Sequence, residues 1–88
     1  LAWSIKFRSG AQRDLRRLGP EAQREILRFL RERIATDEDP TRFGKPLRGN
    51  LQGIWRYRLQ HWRILCRIEK DRLTVLVVAV GDRKNIYG

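Results

Sequence analysis

Ile54-Trp55-Arg56-Tyr57-Arg58-Leu59-Gln60-His61-Trp62-Arg63-Ile64-Leu65-Cys66-Arg67-Ile68 is the stretch on which the fold turns. Ile54 to Leu59 alternates apolar and polar, Trp62 to Ile68 does the same, and Gln60-His61 between them is short enough for a hairpin turn. Folding the two runs about that turn sets Leu59 opposite Trp62, Arg58 opposite Arg63, Tyr57 opposite Ile64 and Arg56 opposite Leu65. Side chains alternate across a sheet. One face therefore carries Trp55, Tyr57, Leu59, Trp62, Ile64, Cys66 and Ile68, and it reads as the core face. The other carries Arg56, Arg58, Arg63 and Arg67. Like charges facing one another on a sheet cost stability, and no acidic residue shares this stretch of strand. Solvated outward residues on an ordinary sheet are the bland explanation. A face built to hold an anion is the functional one, and it accounts for the clustering.

Working outward, Glu69-Lys70-Asp71-Arg72 forms the next turn, and Leu73 to Val80 is the apolar, β-branched run expected of a central strand. Pairing about that turn places Thr74, Leu76 and Val78 on the arginine face. Towards the N-terminus, Trp3 to Phe7 alternates as a half-buried strand. Ser9 is an N-cap candidate ahead of Ala11, Leu15 and Leu18, whose spacing predicts a short helix. Gly19-Pro20 separates it from a second amphipathic helix over Glu21–Ala35, with Ala22, Ile26, Phe29, Leu30 and Ile34 on one side. Asp37-Glu38-Asp39-Pro40 ends it, and residues 36–52 are expected to be loop. The predicted order is β-α-α-β-β-β. This is an α+β class in which an N-terminal strand and an antiparallel helical hairpin precede a three-stranded antiparallel meander. The helices cover one face of a curved sheet, with residues 1–88 as one domain.

Charge narrows the function. Twenty Lys and Arg against ten Asp and Glu give +10, with +3 in residues 1–44 and +7 in residues 45–88. Sixteen of the twenty are arginines, whose planar guanidinium grips phosphate bidentately and stacks on bases. Such a chain is expected to meet a polyanion, either nucleic acid or an acidic protein. One cysteine in 88 residues excludes a disulfide framework, so the thin core of so short a chain depends on packing and on any partner's support. No apolar run is long enough to span a membrane and the N-terminal stretch is too polar for a signal peptide, so a cytoplasmic protein is the default. Leu1 is not a natural start, so residues are expected before it.

The segment Val80-Gly81-Asp82-Arg83-Lys84-Asn85-Ile86-Tyr87 adds a second bank of charge and a phenol after the central strand. Taken with Gly44-Lys45-Pro46-Leu47-Arg48-Gly49, Leu51, Gly53, Trp55-Arg56-Tyr57-Arg58 and Trp62-Arg63-Ile64, and with Ala11, Asp14, Leu15 and Leu18 in the helical hairpin, the chain resembles the RelE/ParE toxin superfamily over nearly its whole length. The resemblance implies the toxin of a type II toxin–antitoxin pair. Its RelE branch implies a nuclease that enters the ribosomal A site and cuts mRNA there, using two basic residues two apart on a strand, an arginine opening the next, a later arginine and a late tyrosine. Arg56, Arg58, Arg63, Arg83 and Tyr87 match these positions, although the two strand positions are typically lysine in that branch. Lys45, Arg48, Arg67 and Lys84 are the further RNA-binding candidates. The partners implied are a cognate antitoxin, the ribosome with its rRNA and mRNA, and operator DNA only through the antitoxin complex. The ParE branch implies instead a DNA gyrase inhibitor that cuts no RNA. A non-catalytic RNA-binding module is the third reading.

One Cys, one His and no acidic cluster on the basic face offer no metal constellation, and no cofactor is expected. RNA cleavage without metal uses the neighbouring 2′-hydroxyl as nucleophile, and needs a base, cations for the phosphorane and help for the leaving 5′-oxygen. On the RelE reading Tyr87 orients or deprotonates the hydroxyl, Arg58 and Arg63 hold the phosphate, Arg56 aids base or phosphate, and Arg83 neutralises the leaving oxygen. His61 reads as a solvated turn residue and Cys66 as a small buried hydrophobe. Parity assigns Trp55 and Trp62 to the core and leaves Trp3 undecided between core packing and base stacking.

Overall fold

The computed structural model describes residues 1–86. Strand β1 (Ser4–Phe7) leads directly into helix α1 (Ser9–Leu18), and helix α2 (Pro20–Phe29) follows after Gly19. Then come β2 (Gly44–Pro46), β3 (Trp55–Leu59), β4 (Trp62–Glu69) and β5 (Thr74–Asp82). Among the described residues these strands form one sheet in the order β1-β5-β4-β3-β2, antiparallel except for the parallel β1–β5 pair. The predicted α+β class is the one observed, with the helices against a single face.

The β3–β4 hairpin has the predicted register, with Leu59 opposite Trp62, Arg58 opposite Arg63, Tyr57 opposite Ile64 and Arg56 opposite Leu65. Gln60, in its turn, takes the left-handed φ of +56°. The core follows from that parity. Tyr57, Trp62, Ile64 and Cys66 are buried together with Val75, Val77 and Val80 of β5 and with Ala11, Leu15, Ala22, Ile26, Leu30 and Ile34 from the helical layer. Trp3 packs against this cluster as a half-buried residue, as do Trp55, Leu59 and Ile68. The Tyr57 phenol donates to the Pro40 carbonyl at 2.6 Å, which ties the long connection after the helices to the centre of the sheet. Burial pushes that phenol well above its ordinary range.

The observed elements depart from the predicted ones in four places. Ser9 lies inside α1, and the cap is Arg8, extended at φ −68° and ψ 155° with no capping side chain; its amide donates to Val77 O, so strand passes to helix without room for a cap. The second helix does not stay α-helical to Ala35. Leu30–Ile34 is a π-helical turn, closed by Ala35 N to Leu30 O at 2.8 Å, and it keeps both Leu30 and Ile34 buried. The 36–52 connection is not all loop, for it contains a 3-10 turn at Pro40–Phe43, strand β2, and another 3-10 turn at Gly49–Leu51. Pro46 is tolerated because β2 lies at the sheet's edge. Lastly, the β4–β5 register slips between Leu65 and Cys66, so that Cys66 faces Val77 while Leu65 faces Ala79. That bulge removes Val78 from the ladder and puts Ala79 and Gly81 on the arginine face beyond it. Asp14 of α1 accepts a hydrogen bond from Val80 N at 3.1 Å just past the irregularity.

Candidate nucleic-acid interface

Register converts the sequence into rows across the face turned away from the helices. One row sets Arg58 against Arg63 and Gly81. The next runs Lys45, Arg56, Leu65, Ala79. A third runs Arg67, Leu76, Lys6, and Glu69 lies in the row beyond it, with Thr74 and Ser4. Directly opposite positions have Cβ atoms about 4.5–5.5 Å apart, so the cations of adjoining strands are neighbours.

Leu65, only 6% exposed, gives this basic face an apolar floor beside Arg56. Arg56 is half-buried, and its Nε is shielded from solvent with no hydrogen-bond partner among the described residues. An unmet buried donor costs about 1–3 kcal/mol. Arg63 is held more firmly: its Nη1 donates to Gln60 O at 3.0 Å and Trp62 O at 2.8 Å. The left-handed Gln60 turns its carbonyl towards that guanidinium. Arg58 and Arg67 are exposed.

The C-terminal turn closes one end of this face. Arg83 N donates to His61 O at 2.8 Å, setting Arg83 beside the β3–β4 turn. Asn85 N and Ile86 N both donate to Asp82 O, at 2.9 and 3.0 Å. The chain thereby folds back until Ile86 Cδ1 stands 3.0 Å from where a Cβ on Gly81 would lie. Gly81 is opposite Arg63, so Ile86 comes to rest on the arginine face. The His61 ring, 52% exposed at its side chain, is tied through Nδ1 to Asp82 Oδ2 at 3.1 Å. Hydrogen bonds from the Lys84 amide and then from His61 hold the Asp82 carboxyl below the usual carboxylate range.

Of the residues singled out in the sequence, Arg56, Arg58, Arg63, Arg67 and Lys45 thus share one face, and Arg83 and Lys84 lie in the turn at its end. Arg48 is exposed in the connection before β3, outside the strand rows. Tyr87 lies outside the described residues. Sequence reasoning missed Lys6, which only the parallel β1–β5 register brings to the arginine face. The signal available was the polar half of the β1 alternation, Ser4 and Lys6. Cys66 is buried as expected, and desolvation pushes its thiol up to about 12. Among the described residues no three His, Cys, Asp or Glu side chains gather as a metal site would, and no helix is long and apolar enough to cross a membrane.

Comparison with known proteins agrees with this architecture. The profile described as "ParE toxin of type II toxin-antitoxin system, parDE" matches residues 5–87. The chain belongs to the RelE/ParE family, the toxins of type II toxin–antitoxin systems. Among individual relatives, toxin RelG of Mycobacterium tuberculosis is 32% identical over 87 residues, covering 99% of this chain and 98% of RelG. The toxin–antitoxin complex RelBE2 of the same organism contains a chain of TM-score 0.85 and 31% identity, with 94% of this chain and all of that one aligned. The isolated Escherichia coli RelE toxin superposes at TM-score 0.71 with 20% identity, over 92% and 84% of the two chains. At that identity the likeness shows the fold.

Proposed function

We propose that this toxin is a ribosome-dependent endoribonuclease that cuts mRNA in the A site by attack of a 2′-hydroxyl on the adjacent phosphorus. The observation carrying this reading is the arginine face itself: Arg56, Arg58 and Arg63 in adjoining rows, one with a buried donor lacking an acceptor. Arg58 and Arg63 bracket the scissile phosphate and stabilise the charge of the phosphorane, and Arg56 aids the base or the phosphate with its charge. Arg83, at the end of the face, neutralises the departing 5′-oxygen. The 2′-oxygen bonds to phosphorus as the bond to the 5′-oxygen breaks, leaving a 2′,3′-cyclic phosphate and a 5′-oxyanion that takes a proton from water to become the 5′-hydroxyl.

The proton of the 2′-hydroxyl needs an acceptor, and the chain has two tyrosines. Tyr57 is unsuited, being buried in the core with its proton on the Pro40 carbonyl. Tyr87 follows Ile86, which rests on the arginine face, and we assign it the orientation or deprotonation of the hydroxyl. Arginine is a poor proton donor at neutral pH, and positioning of mRNA by the ribosome supplies what the side chains lack. Lys45, Arg67, Lys84 and, at greater distance, Arg48 contact the RNA backbone. The toxin works in the cytoplasm, where a cognate antitoxin of the RelB kind, the partner in the RelBE2 and E. coli RelBE complexes, binds and silences it.

The test adds purified toxin to a translating extract and maps mRNA ends by primer extension, with naked mRNA as control. Cuts at A-site codons that need ribosomes and are lost in Arg83→Ala and Tyr87→Phe are expected. Intact mRNA from folded protein overturns the reading. The ParE description of the matching profile favours the second reading, gyrase inhibition, and a supercoiling assay with the same protein decides it.

A further inference from the structure

We propose that Asp82 is a positioning residue, whose carboxylate and carbonyl clasp the turn Arg83–Ile86 to the β3–β4 hairpin and so present the groups of that turn to the arginine face. Three sets of contacts meet at this residue. Oδ1 accepts from Lys84 N at 3.0 Å, a local turn that a short carboxylate favours. Oδ2 lies 3.1 Å from His61 Nδ1, across 21 residues of chain. The carbonyl takes the amides of Asn85 and Ile86. A further bond, Arg83 N to His61 O, ties the turn to the β3–β4 hairpin as well. The bonds to Lys84, Asn85 and Ile86 shape the turn itself; Asp82 Oδ2 to His61 Nδ1 and Arg83 N to His61 O join the end of β5 to the hairpin that carries Arg58 and Arg63.

Close packing reinforces the clasp. Ile86 occupies the space over Gly81 that any larger residue would claim, with its Cα 3.6 Å from the absent Cβ position. Release of Asp82 would free residues Arg83–Ile86 from this arrangement. Charged and titratable groups surround the clasp on each side: Asp82 and His61 themselves, Arg63 opposite Gly81, and Arg83 and Lys84 in the turn. The carboxylate, held below its usual range, stays ionised at neutral pH and keeps both acceptors in use.

For its catalytic half the proposal rests on the nuclease reading, and the experiment separates the two. Amide hydrogen exchange is measured at residues 83–86 in wild type, Asp82→Ala and Asp82→Asn. Cleavage in programmed ribosomes is measured on the same proteins with kcat and KM separated. Asp82→Ala is expected to lose protection at Lys84, Asn85 and Ile86. Its kcat falls about tenfold to a hundredfold, the scale of an ångström's misplacement, with KM for ribosomes within about twofold. Asp82→Asn retains a carbonyl acceptor at the same place and restores most of both. Unchanged exchange in Asp82→Ala overturns the clasp, whether or not the wild type cleaves. Lost protection with kcat intact, or a fall not rescued by Asn, overturns the positioning role. A wild type that cuts no RNA refutes the nuclease reading and, with it, the catalytic half of this proposal, while the exchange result still decides the clasp.

Discussion

Arg58→Gln should stabilise the fold while abolishing the cleavage proposed here. Arg58 is exposed and faces Arg63 in register on the same side of the sheet, with Arg56 two residues along its own strand. Two guanidinium charges about 7 Å apart in water repel by about 0.6 kcal/mol. That agrees with the range of about 0.2–1 kcal/mol for cross-strand pairs. A Debye length of about 30 Å in 10 mM salt leaves most of the repulsion, whereas about 3 Å in 1 M salt removes it. Removing the charge is therefore worth about 0.5 kcal/mol at low salt. For a chain of this size, where 1 kcal/mol moves Tm by about 4–8 °C, the melting point rises by about 2–4 °C. The assay is thermal unfolding of both proteins by circular dichroism at the two salt concentrations. A variant that melts at or below wild type in low salt, or a gain that persists undiminished in 1 M salt, refutes the reasoning. The paired result, greater stability with lost activity, is the exchange expected where function demands crowded charge.

Three further outcomes follow from the packing. Tyr57→Phe leaves the Pro40 carbonyl without its donor and should cost about 1–2 kcal/mol, seen as a lower urea midpoint with an unchanged slope. Cys66, pushed up to about 12, and Tyr57, also raised by burial, keep their protons in the native state while the unfolded chain begins to lose the thiol proton near pH 8.5–9. The native state then holds more protons than the unfolded one, so stability is intact below about pH 8.5 and falls above it by about 1.4 kcal/mol per pH unit for each such group. Urea titrations from pH 8 to 11 measure that slope, and Cys66→Ala should flatten its first part. Gly53→Ala meets both a φ of +94° and the Arg67 guanidinium, 3.3 Å from the new Cβ. It should cost more than Gly49→Ala, where φ is +65° in open space and the backbone penalty of about 1–2 kcal/mol acts alone; denaturant midpoints of the two variants provide the comparison.

The hairpin at residues 54–68 was legible because period-two alternation and a two-residue turn leave one register that buries the apolar set. Four arginines thereby share one face. What lay hidden was non-local or featureless. Gly44-Lys45-Pro46 carries no strand propensity and becomes β2 only because the edge of β3 is there to pair with, which brings Lys45 opposite Arg56. The run Val77-Val78-Ala79-Val80 is apolar on both parities, so the slip that expels Val78 left no trace in the pattern. Lys6 reaches the basic face through a parallel pairing across 70 residues, and the His61–Asp82 contact spans 21; neither distance is written in local sequence. The C-terminal set was found through family resemblance, and the residue it stresses most, Tyr87, lies outside the described residues.

The interior position of β5 has a consequence for synthesis. Residues 74–82 come last in the order of elements, yet they form the strand flanked by both β1 and β4 and the floor on which α1 rests. Until they have left the ribosome, β1 has no neighbour in the sheet and α1 lacks the strand on which it packs. A translation product broken off before residue 74 would retain the arginine hairpin without a core to hold it. Such a fragment would be a substrate for proteases, and the cell would meet the folded molecule only after its own message had been read past the codons of that strand.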